Sequence, residues 1–146
     1  MEIERKFLVR QLPDDLEKYT SSRITQAYLS RRPTIRIRKK DEQYILTVKG
    51  PGKLAHEEFE LSIEKAAYER LLKKCDGKVI EKRRYRIPYG KYTIELDLFT
   101  APKELVLAEV EFESVEEALS FEGPEWFSED VTEDPRYSNA QMAYEE

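Results

Sequence analysis

EIERKFLV, residues 2–9, is the stretch on which the fold turns. Alternate side chains of an extended chain point to opposite faces, so Glu2, Glu4 and Lys6 share one face and Ile3 lies on the other. A solvated surface strand carries such a face at little cost. Turned inward, the same face needs a partner for every charge. The remaining strands decide between the two.

Six further segments repeat the alternation. TIRIRK (34–39) sets Arg36 and Arg38 opposite Ile35 and Ile37, and YILTVK (44–49) sets Thr47 and Lys49 opposite Leu46 and Val48. EEFELS (57–62) gives Glu58 and Glu60 against Phe59 and Leu61, and EKRRYRI (81–87) gives Lys82, Arg84 and Arg86 against Tyr85 and Ile87. TIELDL (93–98) gives Glu95 and Asp97 against Ile94, Leu96 and Leu98, and AEVEFE (108–113) gives Glu109 and Glu111 against Val110 and Phe112.

With turn signals between them, strands are expected at 1–9, 24–31, 34–40, 43–49, 56–63, 80–88, 91–99 and 105–113. Arg32-Pro33, Lys40-Asp41-Glu42, the Gly/Pro run KGPGKLAH, Tyr89-Gly90 and the stretch around Pro102 supply the breaks. Short helices are expected at 13–19, at 64–75 with Ala67, Leu71, Leu72 and Cys75 on one stripe and Gly77 as its stop, at 114–119 behind the capping box Ser114-x-x-Glu117, and at 138–145 with Ser138 as N-cap. Mostly local connections between short strands make the fold mainly β (α+β): one domain over 1–146, an eight-stranded antiparallel β-barrel with helices packed outside.

Three features favour charges inside that barrel. Acids and bases are segregated by strand, with little of the Thr, Ser and Gln that exposed strands mix in. Amphipathic helices need an apolar sheet face on the outside. The inward set is close to neutral, with eight acids (Glu2, Glu4, Glu58, Glu60, Glu95, Asp97, Glu109, Glu111) against seven bases (Lys6, Arg36, Arg38, Lys49, Lys82, Arg84, Arg86).

The whole chain bears 30 acids and 25 bases, net −5, which argues against nucleic-acid or membrane-surface binding. One cysteine, Cys75, excludes an intrachain disulfide and a cysteine metal site. No stretch approaches about 20 apolar residues, and a cytoplasmic location is expected. His56, the single histidine, reads as a loop or edge residue.

Converging Arg and Lys suit a multivalent oxyanion, because Arg offers phosphate a bidentate fork. Carboxylates at i and i+2 sit about 7 Å apart on one face, close enough to share hard cations such as Mg²⁺ or Mn²⁺. Acids, bases and metal together suit a polyphosphate chain carrying its metal.

The ordered motifs EIERK, RIR (36–38), TVK (47–49), EFE (58–60), KRR (82–84), ELD (95–97) and EVE (109–111), with the tail DPRYSNAQMA, resemble those of the CYTH superfamily, the triphosphate tunnel metalloenzymes, in its short bacterial form. The resemblance implies an eight-stranded antiparallel tunnel that hydrolyses or cyclises triphosphates with Mg²⁺ or Mn²⁺. It implies phosphate binding by Lys6, Arg36, Arg38, Lys49, Lys82 and Arg84. It implies a metal held by Glu2, Glu4 and a last-strand carboxylate, Glu111 in preference to Glu109. Glu58, Glu60 and Asp97 become candidates for a second metal or for the attacking water. Tyr28, which shares its parity with Gln26 and Ser30, resembles a tunnel tyrosine near the leaving phosphate, with an ordinary core tyrosine as the alternative. Arg86 falls at the tunnel mouth.

The expected activity is metal-dependent hydrolysis of inorganic tripolyphosphate, with weaker action on nucleoside triphosphates. An adenylate cyclase and a non-catalytic polyphosphate-binding module are the alternatives. The expected partner is a small triphosphate, with no nucleic acid or membrane, acting on a monomer or homodimer. The tail from Asp134 either closes one tunnel mouth or packs on the outside.

Overall fold

The pairing follows the alternation. The computed structural model describes residues 1–145. Its strands are β1 (Glu2–Val9), β2 (Thr20–Arg31), β3 (Thr34–Lys40), β4 (Gln43–Lys49), β5 (Ala55–His56), β6 (Glu58–Ser62), β7 (Asp76–Tyr89), β8 (Tyr92–Ala101), β9 (Leu105–Phe112) and β10 (Phe127–Asp130). The helices are α1 (Lys65–Leu72), α2 (Val115–Ser120) and α3 (Asn139–Tyr144), with single 3₁₀ turns at Leu16–Lys18 and Pro135–Tyr137. All pairings are antiparallel, in the order β10-β1-β9-β8-β7-β2-β3-β4-β6.

The strand expected at 56–63 is two strands, because the chain changes partner at Glu57. Before it, β5 pairs with β1 (Glu2 opposite His56, Ile3 opposite Ala55). After it, β6 pairs with β4 (Lys49 opposite Glu58, Thr47 opposite Glu60). One stretch of chain therefore reaches both ends of the sheet and nearly closes it into a barrel. The loop before β5 turns at Gly52, where φ is +117° and a Cβ would sit 2.1 Å from the Ala55 carbonyl oxygen. The Leu54 carbonyl accepts the Glu4 N–H at 2.9 Å, which continues the join.

The apolar faces of most strands do face outward under helices. Ile3, Phe7, Ile94, Leu96, Val110 and Phe112 pack beneath Ala118 of α2 and Phe127 of β10. Ala27 and Ile37 pack beneath Tyr68 of α1. The β6 pair departs from this, since Phe59 and Leu61 are 57% and 48% exposed, with no helix over them among the described residues.

α3 lies at one end of the barrel. Its Met142 and Ala143 pack on Tyr28, Ile80, Phe99 and Leu107, where the inward face turns apolar. Gly77 belongs to β7 and is not the stop of α1, which ends at Leu72. A Cβ there would lie 2.4 Å from the Ala143 carbonyl oxygen at a φ of +70°, so glycine allows α3 its close approach. Among the described residues no helix is long and apolar enough to cross a membrane.

Candidate active site

The inward faces enclose a cavity of about 430 Å³. Of the residues expected at the site, Glu2, Glu4, Lys6, Tyr28, Arg36, Arg38, Lys49, Glu58, Glu60, Lys82, Arg84, Glu109 and Glu111 all line it. Asp97 lies behind this surface, 1% exposed.

Asp97 is held by cations on both oxygens. Arg84 Nε donates to Oδ1 at 2.7 Å, Arg84 Nη2 donates to Oδ2 at 2.9 Å, and Lys82 Nζ lies 2.8 Å from Oδ2. The cross-strand register that puts Arg84 opposite Asp97 makes this fork possible. Burial raises the Asp97 carboxyl, but Arg84 and Lys82 outweigh it and the net shift is downward. Asp97 is thus the counter-ion that sets the position of two cations, with neither oxygen turned to the cavity.

Glu109 plays a similar part. Its carboxylate lies 3.6 Å from both Lys6 Nζ and Arg84 Nη2. Burial opposes its ionisation, yet Lys6, Arg84 and Lys82 hold it well below the ordinary range. Glu111, two residues on, is exposed at the rim, and burial together with Glu2 and Glu95 raises it.

The two β3 arginines are different. Among the described residues neither Arg36 nor Arg38 has a carboxylate within ion-pair distance. Arg38 Nε donates to Gln26 Oε1 at 2.8 Å, and Arg36 Nη2 donates to Thr47 Oγ1 at 3.1 Å. Arg36 Nε is buried with no partner at all. Burial, helped by Arg36 and Arg84, pushes Arg38 down to about 9. Burial likewise pushes Lys82 down to about 7, with Asp97 as partial relief. A buried donor without an acceptor costs about 1–3 kcal/mol, and an anion entering the cavity would supply the acceptor.

The acidic side is equally uneven. Burial and the charge on Glu109 push Glu4 up to about 8. Burial also opposes the charge on Glu2, but a hydrogen bond with His56 and the nearby Lys49 bring it down to about 2. Glu2, Glu4 and His56 each offer one ligand atom, and the three atoms lie within 4.8 Å of one another. Two carboxylates and an imidazole so placed fit a divalent cation, and the raised Glu4 marks where a positive charge is wanted.

Several further residues line or adjoin the cavity. Lys40 continues the parity of Arg36 and Arg38 but sits where a hairpin turn was expected. His56 does occupy an edge, yet its ring reaches the site. Gln26 carried the right parity without a charge to mark it; its Nε2 donates to the Tyr28 hydroxyl at 2.9 Å. Asn139 comes from the tail and accepts from Lys82 Nζ at 3.0 Å, while the Tyr137 carbonyl accepts from Lys6 Nζ at 2.9 Å. The tail thus contributes Ser138, Asn139 and Ala140 to the cavity lining, while α3 packs on the apolar inward positions at that end.

Known proteins resemble this chain over nearly its whole length. The CYTH domain family profile matches residues 1–141. An inorganic triphosphatase of Nitrosomonas europaea is 40% identical over 97% of this chain and 96% of its own length. An inorganic triphosphatase of Acetivibrio thermocellus is 33% identical over 97% of this chain and 92% of its own. A crystal structure of an inorganic triphosphatase superposes with a TM-score of 0.71 at 35% identity, covering 100% of this chain and 96% of that one. With the likeness running from the first strand into the closing helix, the chain belongs to the CYTH domain family.

Proposed function

We propose that this protein is a metal-dependent triphosphatase whose substrate is inorganic tripolyphosphate. One observation carries the reading: a single cavity holds both an unneutralised guanidinium pair, Arg36 and Arg38, and a crowded carboxylate, Glu4. A polyphosphate with its metal answers both at once. The relatives at 40% and 33% identity bear the same activity in their names.

Phosphoryl transfer needs chiefly positioning and charge stabilisation. Arg36 and Arg38 bind phosphate oxygens with donors that otherwise go unpaired. Lys82 and Arg84, oriented by Asp97, present a second cationic edge, and Lys6 and Lys49 complete the set. Glu2 and Glu4 would hold the divalent cation, Mg²⁺ or Mn²⁺, which would supply positive charge to offset that of the phosphates. The rim carboxylates Glu58, Glu60 and Glu111 are placed to orient the attacking water. The Tyr28 hydroxyl accepts from Gln26, so its own proton is free to be donated to a phosphate oxygen. We assign the enzyme to the cytoplasm, consistent with Cys75 as a free thiol, and take it to act as a monomer or homodimer.

The test compares phosphate release from tripolyphosphate and from ATP with Mg²⁺ or Mn²⁺. Faster turnover of tripolyphosphate is expected. Pyrophosphate and cyclic AMP from ATP would replace this reading with a cyclase, and binding without turnover would replace it with a polyphosphate-binding module.

A further inference from the structure

We propose that His56 is a nitrogen ligand of the divalent cation, and that it biases the site toward Mn²⁺ and its first-row neighbours over Mg²⁺. This rests on the reading above, in which Glu2 and Glu4 hold a cation, and adds a donor that the carboxylate pattern does not contain.

The backbone around His56 is built to deliver it. β5 is only two residues long, and both pair with β1 at Glu2 and Ile3. His56 lies directly across from Glu2, so the imidazole and that carboxylate project from neighbouring strands onto the same face. Gly52 turns the chain in front of β5, and the Leu54 carbonyl holds the Glu4 N–H, which ties the second carboxylate to the same join. His56 itself is 6% exposed and lines the cavity.

The side-chain geometry completes the case. His56 Nε2 lies 2.5 Å from Glu2 Oε1, a hydrogen bond with one proton between them. The three donor atoms of Glu2, Glu4 and His56 all fall within 4.8 Å of one another, so a cation bound among them would take the place of that shared proton, with the neutral ring carrying its one N–H on Nδ1 instead. Lys49 Nζ, 3.3 Å from the same Glu2 oxygen and 3.7 Å from Glu58, is the competing cation. It has Glu58 as an alternative partner when Glu2 is engaged.

The donor type sets the preference. Mg²⁺ favours oxygen ligands and gives up its waters reluctantly. Imidazole nitrogen suits later divalent ions, whose affinity for a mixed N/O site rises from Mn²⁺ onward. A His–Glu–Glu set is therefore tuned differently from one built of carboxylates alone.

The experiment uses the untagged, chelator-stripped full chain and Mn²⁺ alone, with no phosphate. His56 is the single histidine, so labelling histidine with ¹⁵N isolates its signal without mutation. Pulsed EPR of bound Mn²⁺ is expected to show an imidazole ¹⁴N coupling that changes to ¹⁵N on labelling. His56→Gln retains a donor toward Glu2 but supplies no ring nitrogen. It should lower Mn²⁺ affinity about ten- to a hundred-fold and Mg²⁺ affinity much less. Bound Mn²⁺ without histidine coupling, or unchanged Mn²⁺ affinity in His56→Gln, overturns the assignment and leaves the carboxylate site standing. Failure to bind Mn²⁺ at all overturns both. If His56→Gln does not fold, the labelled wild-type spectrum decides.

Discussion

Replacing Glu4 with Gln separates a metal ligand from a surface charge, because two readouts should move in opposite directions. Glu4 is partly open to the tunnel space but flanked by Glu2 and Glu109, and its carboxyl is held up at about 8 against an ordinary 4.5. The folded protein therefore keeps a proton there that the unfolded chain releases. A raised folded value means the stability is fully present below pH 4.5 and is lost as pH rises through about 8. The ceiling is about 1.4 kcal/mol per pH unit, or roughly 2.7 kcal/mol between pH 5.5 and 7.5. Tunnel water and sharing of the proton with neighbouring carboxyls reduce this to on the order of 1–2 kcal/mol, or about 3–6 °C in Tm for a domain this size. Glu4→Gln abolishes that term, so its metal-free melting temperature should fall less than the wild type's between these pH values. The other titrating groups, such as Lys82, largely cancel in the comparison. Activity should drop about a hundred-fold or more, equal to about 2.7 kcal/mol in the barrier, since an anionic oxygen donor is gone. Paired thermal melts with chelator at pH 5.5 and 7.5, and phosphate release at limiting Mg²⁺, measure both. Full activity in Glu4→Gln at limiting metal, or an unchanged pH slope of Tm, refutes the placement of Glu4 at a cation site.

Further outcomes follow from the same geometry. Arg38→Ala should cost little stability without ligand, because an unpaired buried charge is removed, while KM for tripolyphosphate rises at least about tenfold; Arg38→Lys should rescue it only in part, since the fork is lost, and wild-type kinetics would take Arg38 out of the site. Asp97→Asn leaves Lys82 and Arg84 without their shared counter-ion, and denaturant unfolding should show a loss of about 3–5 kcal/mol; a loss under about 1 kcal/mol would contradict the counter-ion role. Gly77→Ala should destabilise by about 1–3 kcal/mol through its left-handed φ and its clash with α3, read as a lower Tm. Deleting 134–146 from a chain that still folds should open the closed end and admit longer polyphosphates; an unchanged chain-length preference in hydrolysis assays would show that the tail does not limit the tunnel.

The inward face was legible because parity carries along a strand without any knowledge of the partner. Once Glu2 and Glu4 point inward, Lys6 must as well, and the same step places Arg36 with Arg38 and Lys82 with Arg84. Parity says nothing about which strand lies alongside. The break at Glu57 is therefore invisible in EEFELS, where the alternation runs through unbroken. β10 has only four residues, FSED, and owes its place to β1, where Arg5 pairs with Asp130 at 2.7 Å. His56 carried no pattern of its own, and its meaning comes from lying opposite Glu2. The tail was read for its polar residues, whereas Met142 and Ala143 anchor it on inward positions that happen to be apolar.

A barrel opens first at its weakest seam, and here the seam is short. β7 and β8 are zipped from Glu81 to Tyr89, whereas β1 and β5 share two residue pairs. Thermal breathing should concentrate there, with the amides of Glu4 and His56 exchanging with solvent sooner than those of the β7–β8 ladder. The three donors assigned to the cation straddle this same join, two on one lip and one on the other. Loading the site would then act as a clasp: it would draw the lips together, slow exchange at the seam and turn a slit cylinder into a closed one, so that the tunnel is stiffest when it is charged for turnover.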